Sequence, residues 1–217
     1  MMHAPALILV GPSGVGKNTV AEILLGAKDS PFSYSRSLTT RDPRGTYADE
    51  YLYVSEQEFL SRVQAGKMLE YTLYGGNYYG TPMSEVERSH SEGKIPLMIL
   101  DINGVESIRR DHPSLPIFAV YLYADPAQIR DRLQARDLGD GCEENRKRIA
   151  RRLENNREDF RSLADGRLHL FDAFVENLCA DAAAREVLSI FEERRLLSAQ
   201  EAITMRDYFL RAVNFEF

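Results

Sequence analysis

Gly11-Pro12-Ser13-Gly14-Val15-Gly16-Lys17-Asn18 is the stretch that decides the fold. It has the G-x-x-x-x-G-K spacing of a phosphate-binding loop. An apolar run, residues 4–10, leads into it, with residues 6–10 reading as a buried first strand. A helix is predicted from about Gly16 to Gly26, so the motif stands between a strand and a helix, where its chemistry requires it. Glycines let successive backbone N–H groups turn inward on a polyphosphate, and the helix N-terminus adds its positive dipole. Lys17 brings a point charge to the β- and γ-phosphates. Outside that context the string would be an ordinary glycine-rich turn. In it, Gly11, Pro12, Ser13, Gly14, Val15, Gly16, Lys17, Asn18 and Thr19 are candidate contacts to a nucleoside triphosphate.

The position after Lys17 normally holds Ser or Thr, whose hydroxyl serves Mg²⁺. Asn18 offers a carbonyl oxygen instead, still a hard ligand, and is the candidate metal residue. Thr19 lies about a hundred degrees farther round the helix and does not replace it as a ligand. Asn18 reads either as a tolerated variation or as a weakened metal site with slower turnover.

Working outward, strand and helix signals alternate, which predicts an α/β fold with a mostly parallel central sheet flanked by helices. Residues 31–53 read as short strands and loops. Ser55 and Glu58 form a capping box ahead of Phe59, Leu60 and Val63. Residues 69–73 read as a strand. Thr81 is predicted to cap a helix with Pro82 in its first position. Residues 96–100 form a buried-strand run ending at Asp101, and 117–123 another. Asp125, Pro126 and Gln128 open a helix. Arginines crowd residues 130–161, on two helices with a loop at 137–142. A last strand is predicted at 174–176, a helix over 180–197, and a final helix opened by the Ser198/Glu201 capping box and running to about Val213.

The 217 residues allow one ordinary domain with small inserted lobes. With 44% hydrophobic and 28% charged residues the composition is globular rather than disordered or membrane-spanning. A formal charge of −6 gives nucleic-acid binding no global support, so no nucleic-acid or membrane partner is expected. Cys142 and Cys179 fit neither a zinc pattern nor a disulfide framework. They read as free thiols of a cytoplasmic protein, since no secretion signal is recognised either.

A second set of residues concerns a second phosphate. Ser37-Leu-Thr-Thr-Arg41-Asp-Pro-Arg44 is followed by Asp49-Glu-Tyr51, Leu69-Glu70-Tyr71, Gly76-Asn-Tyr-Tyr79-Gly-Thr81 and Asp101-Ile-Asn103. Arg41 and Arg44 offer planar, always-charged forks, and Tyr51 and Tyr79 offer hydroxyls. Singly, each has a plain reading as a solvated or packing residue. Their joint order resembles guanylate kinase over roughly residues 5 to 180. The resemblance implies a P-loop kinase fold with a small GMP-binding lobe (36–90), an arginine-rich lid (136–152) and a core made of 1–35, 91–135 and 153–190. It implies transfer of the γ-phosphoryl group of ATP, with Mg²⁺, onto GMP. Matching positions make Arg41, Arg44, Tyr51 and Tyr79 the holders of the GMP phosphate. Glu70 becomes the reader of the two guanine donors, Ser37 and Thr81 the hydroxyls facing the base, and Asp101 and Asn103 further contacts. Asn103 stands where the family usually has a second Asp, and an Asn accepts without a charge.

The resemblance also makes Arg132, Arg136 and Arg152 catalytic lid arginines beside Lys17 and Arg41, and puts Asn177 near the adenine. Arg148 lies one helical turn before Arg152 and can share its face. The plain reading is a solvated basic helix, with Arg146, Arg151 and Arg157 pairing with Glu154 and Glu158. Two alternatives stand beside the main reading. One is a P-loop kinase acting on a sugar phosphate such as ribose 1,5-bisphosphate. The other is a catalytically weakened binding module. Residues 191–217 lie beyond the resemblance as a helical extension, read as docked on its own domain or as a homodimer contact, so monomer and homodimer are both open.

Overall fold

Five consecutive apolar residues, Ala6–Val10, form strand β1, and every one is buried. An unbroken apolar run of this kind suits a parallel strand covered on both faces. The structure is a computed structural model that describes residues 5–43, 51–74, 76–137, 139 and 141–215. After β1 come α1 (Lys17–Gly26), β2 (Phe32–Tyr34), β3 (Ser37–Thr39), β4 (Tyr51–Tyr53), α2 (Glu56–Gln64), β5 (Met68–Tyr74) and β6 (Asn77–Pro82). Then follow α3 (Met83–Ser91), β7 (Ile95–Ile99), α4 (Ile102–Asp111), β8 (Ile117–Tyr123), α5 (Pro126–Asp137) and α6 (Glu143–Ala164). A 3₁₀ turn at Arg167–Leu170 precedes β9 (Ala173–Glu176), α7 (Ala180–Glu193) and α8 (Ala199–Val213). One sheet has the order β2-β7-β1-β8-β9, and its β2–β7 and β8–β9 pairs are parallel. The chain divides into two units, Met1–Ile8 with Ala27–Ile117, and Leu9–Gly26 with Phe118–Phe217.

In the first unit, α3 packs on β2 and β7. A second sheet, β4-β3-β6-β5, pairs β3 with β4 in parallel and the other strands antiparallel. Side chains alternate between the faces of a strand, and the two faces differ in chemistry. Leu38, Met68 and Phe59 of α2 make a small core with Leu52, Val54, Val63 and Tyr78. By the same alternation Ser37, Tyr51, Tyr79 and Thr81 point the other way. The Glu70 carboxylate joins Thr81 on that polar side, beyond the register shift between Met68 and Glu70.

In the second unit, α7 packs on α1 and β9, and α6 lies against α5 and α8. The core is aromatic: Phe209 of α8 lies within 6.0 Å, centroid to centroid, of Tyr121, Phe160 and Phe174. Tyr121, Phe160 and Phe209 are fully buried. Residues 199–213 thus bury Met205, Phe209 and Ala212, the apolar stripe of a helix docked on its own chain. Among the described residues no helix is long and apolar enough to cross a membrane.

Three local expectations need correction. Pro82, not Thr81, is the N-cap of α3, because Thr81 remains in β6, its N–H bound to the Glu70 carboxylate. Ser55 does accept from the Glu58 N–H, but the Glu58 carboxylate goes forward to Arg62 at 2.7 Å instead of back to the cap. The helix over 180–197 ends at Glu193: Arg194 turns left-handed (φ 53°), and the Leu197 N–H is taken by the Asp172 carbonyl. The Ser198/Glu201 box is made in both directions.

Candidate active site

The phosphate loop belongs to the second unit, and its glycines are required by space as well as by angle. Gly11 (φ 150°) has no room for a Cβ, which would fall 2.3 Å from the Leu122 carbonyl oxygen. At Gly16 (φ 98°) a Cβ would lie 2.7 Å from Asn177 Nδ2. Lys17 Nζ donates to the carbonyls of Gly11 (2.6 Å) and Pro12 (3.1 Å), so its charge lies across the loop. Asn18 and Thr19 are exposed in the first turn of α1.

Three side chains hold this loop from behind. Asn177 Nδ2 donates to the Val15 carbonyl at 2.7 Å. Arg132 donates to the same carbonyl at 3.2 Å and to the Asn177 carbonyl at 2.8 Å. Asn156, in α6, grips Ser13 on both sides: its Oδ1 accepts the Ser13 N–H at 2.7 Å, and its Nδ2 donates to the Ser13 carbonyl at 2.9 Å. Sequence reasoning missed Asn156, although a signal existed. Buried α6 positions recur at Ile149, Leu153, Asn156, Phe160 and Leu163, so an amide stands in an otherwise apolar stripe.

Arg136, Arg148 and Arg152 gather round one residue, Asp137. Arg136 makes a two-pronged contact with Asp137, at 2.7 and 3.0 Å. Arg152 reaches Asp137 Oδ2 at 3.1 Å and Ser13 Oγ at 3.4 Å. Arg148 donates to the Asp137 backbone carbonyl at 3.0 Å, so it does join Arg152. Arg157 pairs with Glu154, as the solvated-helix reading has it.

The second cluster lies wholly in the first unit. Glu70 is nine-tenths buried, and its Oε1 accepts the Thr81 N–H at 2.8 Å. Thr81 Oγ1 is 3.5 Å from Ser37 Oγ. Burial pushes the Glu70 carboxyl up to about 7, helped by the nearby Asp101 charge and opposed by the Thr81 hydrogen bonds. Gly104 lies against it: a Cβ there would be 3.4 Å from Glu70 Oε2. Asp101 is the N-cap of α4 and accepts the Gly104 N–H at 2.7 Å, and Asn103 is exposed in the first turn.

Tyr79 is two residues from Thr81 on β6, about 7 Å along the strand. There the Arg41 guanidinium lies 5.4 Å from the Tyr51 ring centre, and the Tyr51 and Tyr79 rings are 5.9 Å apart. Tyr53, not singled out from sequence, borders the same cluster through its contact with Tyr51. Arg44 lies outside the described residues. A cavity of about 740 Å³ in this unit, lined by Leu69, Met83, Val86 and His112 among others, includes none of these residues.

The guanylate kinase family model matches residues 3–194. A guanylate kinase of Lactobacillus johnsonii is 34% identical over 188 residues, spanning 86% of this chain and 87% of the relative. One from Listeria innocua is 31% identical over 192 residues and 88% of each chain, so the likeness extends far beyond the phosphate loop. The crystal structure of guanylate kinase from Anaplasma phagocytophilum aligns with a TM-score of 0.63 over 95% of this chain and 97% of that one. At 19% identity that alignment speaks for the fold alone.

Proposed function

The chain belongs to the guanylate kinase family, and on that premise we propose that it moves the γ-phosphoryl group of ATP onto GMP, giving ADP and GDP. An anionic oxygen of the GMP phosphate attacks the γ-phosphorus in line. The bond to the β,γ-bridging oxygen breaks, and ADP leaves with that electron pair. No strong base is needed, because the attacking oxygen is already ionised at neutral pH. The protein's task is positioning and charge stabilisation.

Lys17 and the loop N–H groups take the ATP phosphates. Arg132, which the resemblance makes a catalytic lid arginine, and Asn177, which it puts near the adenine, both hold the Val15 carbonyl, so we assign them, with Asn156, the indirect task of fixing the loop's shape. Arg136 and Arg152 are the cations for the transferring group, and closure of the 136–152 lid excludes water. Mg²⁺ suits the donor set, since Asn18 carries a neutral hard oxygen in the first turn of α1 and the nucleotide supplies phosphate oxygens. Asn18 would hold the ion, which would supply charge neutralisation at the β- and γ-phosphates. On the acceptor side, Arg41, Tyr51 and Tyr79 hold the GMP phosphate, with Arg44 assigned the same task. Ser37, Thr81, Asp101 and Asn103 surround the base. We place the reaction in the cytoplasm, where the exposed thiols of Cys142 and Cys179 stay reduced.

The observation that carries the acceptor assignment is Glu70, a nine-tenths buried carboxylate with one oxygen on Thr81 and the other against Gly104. Guanine offers two adjacent donors, N1–H and the 2-amino group, which a carboxylate accepts together. Adenine has an unprotonated N1 there, and leaving the carboxylate unpaired costs about 1–3 kcal/mol or more. A sugar-phosphate kinase has no use for such a group, and a binding module has no use for an intact Gly11, Gly16 and Lys17. Steady-state kinetics of Glu70→Gln with both acceptors test the assignment. A large loss of kcat/KM for GMP with a smaller change, or a gain, for AMP is expected. Equal losses for both would show that Glu70 does not read the base.

A further inference from the structure

We propose that Asp137 is a built-in stand-in for the phosphoryl group: its carboxylate holds Arg136 and Arg152 together and yields them to the terminal phosphate of the bound nucleotide. The inference rests on the reading that these arginines serve the transferring group.

The geometry is that of an anion site already filled. Arg136 uses two nitrogens on the two carboxylate oxygens, the fork pattern with which guanidinium groups take carboxylates and phosphates alike. Arg152 adds a third donor on Oδ2, and Arg148 holds the backbone carbonyl of the same residue. The Asp137 side chain is only 11% exposed, against 54% for Arg136 and 36% for Arg152. The acid is therefore the enclosed centre and the arginines are its shell. Arg152 also lies 3.4 Å from Ser13 Oγ, so one member of the shell already touches the phosphate loop.

The same Arg-Asp fork ends α4 at Arg110 and Asp111, but there the acid is 49% exposed and, among the described residues, has no second arginine on it. Asp137 is the last residue of α5, where the helix dipole disfavours a negative charge. A residue that breaks a local preference and is repaid by neighbours of known use points to function. The Arg136 hydrogen bond, with the Arg152 and Arg148 charges, holds the Asp137 carboxyl below its ordinary range. Protonation therefore does not release the arginines near neutral pH, and a competing anion is what frees them. A terminal phosphoryl group presents more charge and more oxygens than one carboxylate. Without Asp137 the clustered cations would repel one another and scatter. With it they stay gathered, at the cost of competition against the nucleotide.

The test uses the full chain and measures binding of a non-hydrolysable ATP analogue with a nitrogen bridge between the β- and γ-phosphates. AMP, which lacks those phosphates, is the control. Asp137→Asn keeps the shape and removes the charge. It should bind the analogue about two- to fivefold more tightly, the range for a partly exposed ion pair, with AMP affinity unchanged. Asp137→Glu keeps the charge and should stay near wild type. Unchanged or weaker analogue binding by Asp137→Asn overturns the proposal, as does an equal gain by Asp137→Glu. Arg152→Ala separates this inference from the reading beneath it. If that variant loses analogue affinity and kcat while Asp137→Asn gains nothing, only the stand-in role fails. If Arg152→Ala changes neither, the lid assignment fails and the stand-in role with it.

Discussion

Replacing Glu70 by Gln should make the protein relatively more stable as the pH rises, although it damages the site. In the unfolded chain this carboxyl ionises near its ordinary 4.5, and in the folded protein burial raises it to about 7. Below 4.5 it is protonated in both states and the difference contributes nothing. Between 4.5 and 7 the unfolded chain has released its proton while the folded protein keeps it, so stability falls with rising pH. Above about 7 the loss is complete. At about 1.4 kcal/mol per pH unit the full penalty is about 3 kcal/mol. Gln does not titrate, so the variant escapes it. The isoelectric point is about 5.4, which makes pH 6 to 8 the practical window. Over that window the variant should gain about 1 kcal/mol on the wild type. For a chain of this size that is about 2–4 °C in Tm. Paired thermal melts at pH 6, 7 and 8 read it directly. The offset at a single pH does not matter, because the new amide has its own needs in a buried site. Parallel melting curves, with a constant Tm difference across the three pH values, would refute the raised carboxyl.

Two further outcomes are expected. If Asn18 is a weak ligand, Asn18→Ser should lower the Mg²⁺ concentration that gives half-maximal rate, and an unchanged or higher requirement would show that the amide oxygen is adequate. Phe209→Ala should cost about 3–5 kcal/mol in urea unfolding, because a fully buried ring is removed from between Tyr121, Phe160 and Phe174; a cost below about 1 kcal/mol would mean that α8 is not part of the core.

Much of this was legible because two kinds of signal agreed. The phosphate loop is local: its spacing, the apolar strand before it and the helix after it are all visible in one window, and the structure puts each where expected. The cluster of Ser37, Glu70, Tyr79 and Thr81 is not local, yet its members stand out in the sequence as an ordered set, and strand alternation, with the register shift before Glu70, brings them to one face of one small sheet. Contacts that depend on which partner a side chain chooses were not legible. Glu58 had both the cap and Arg62 within reach, and the charged partner wins. Thr81 looked like a helix cap, but its N–H was needed by a buried carboxylate, where an unpaired group is expensive. Asn156 and Asp137 went unnoticed because each sat in an arginine-rich stretch that reads as a solvated helix. Only the fold shows that one is buried against Ser13 and the other enclosed by Arg136 and Arg152.

The central claim is the pairing of ATP with GMP, and the most direct measurement is a coupled assay of ADP formation by the purified chain with Mg²⁺. Four acceptors are compared at equal concentration: GMP, AMP, CMP and ribose 1,5-bisphosphate. The account predicts rapid ADP formation with GMP, GDP appearing in equal amount, and strong discrimination against the other three. ADP formation driven best by ribose 1,5-bisphosphate or by AMP, or by none of the four, would contradict it.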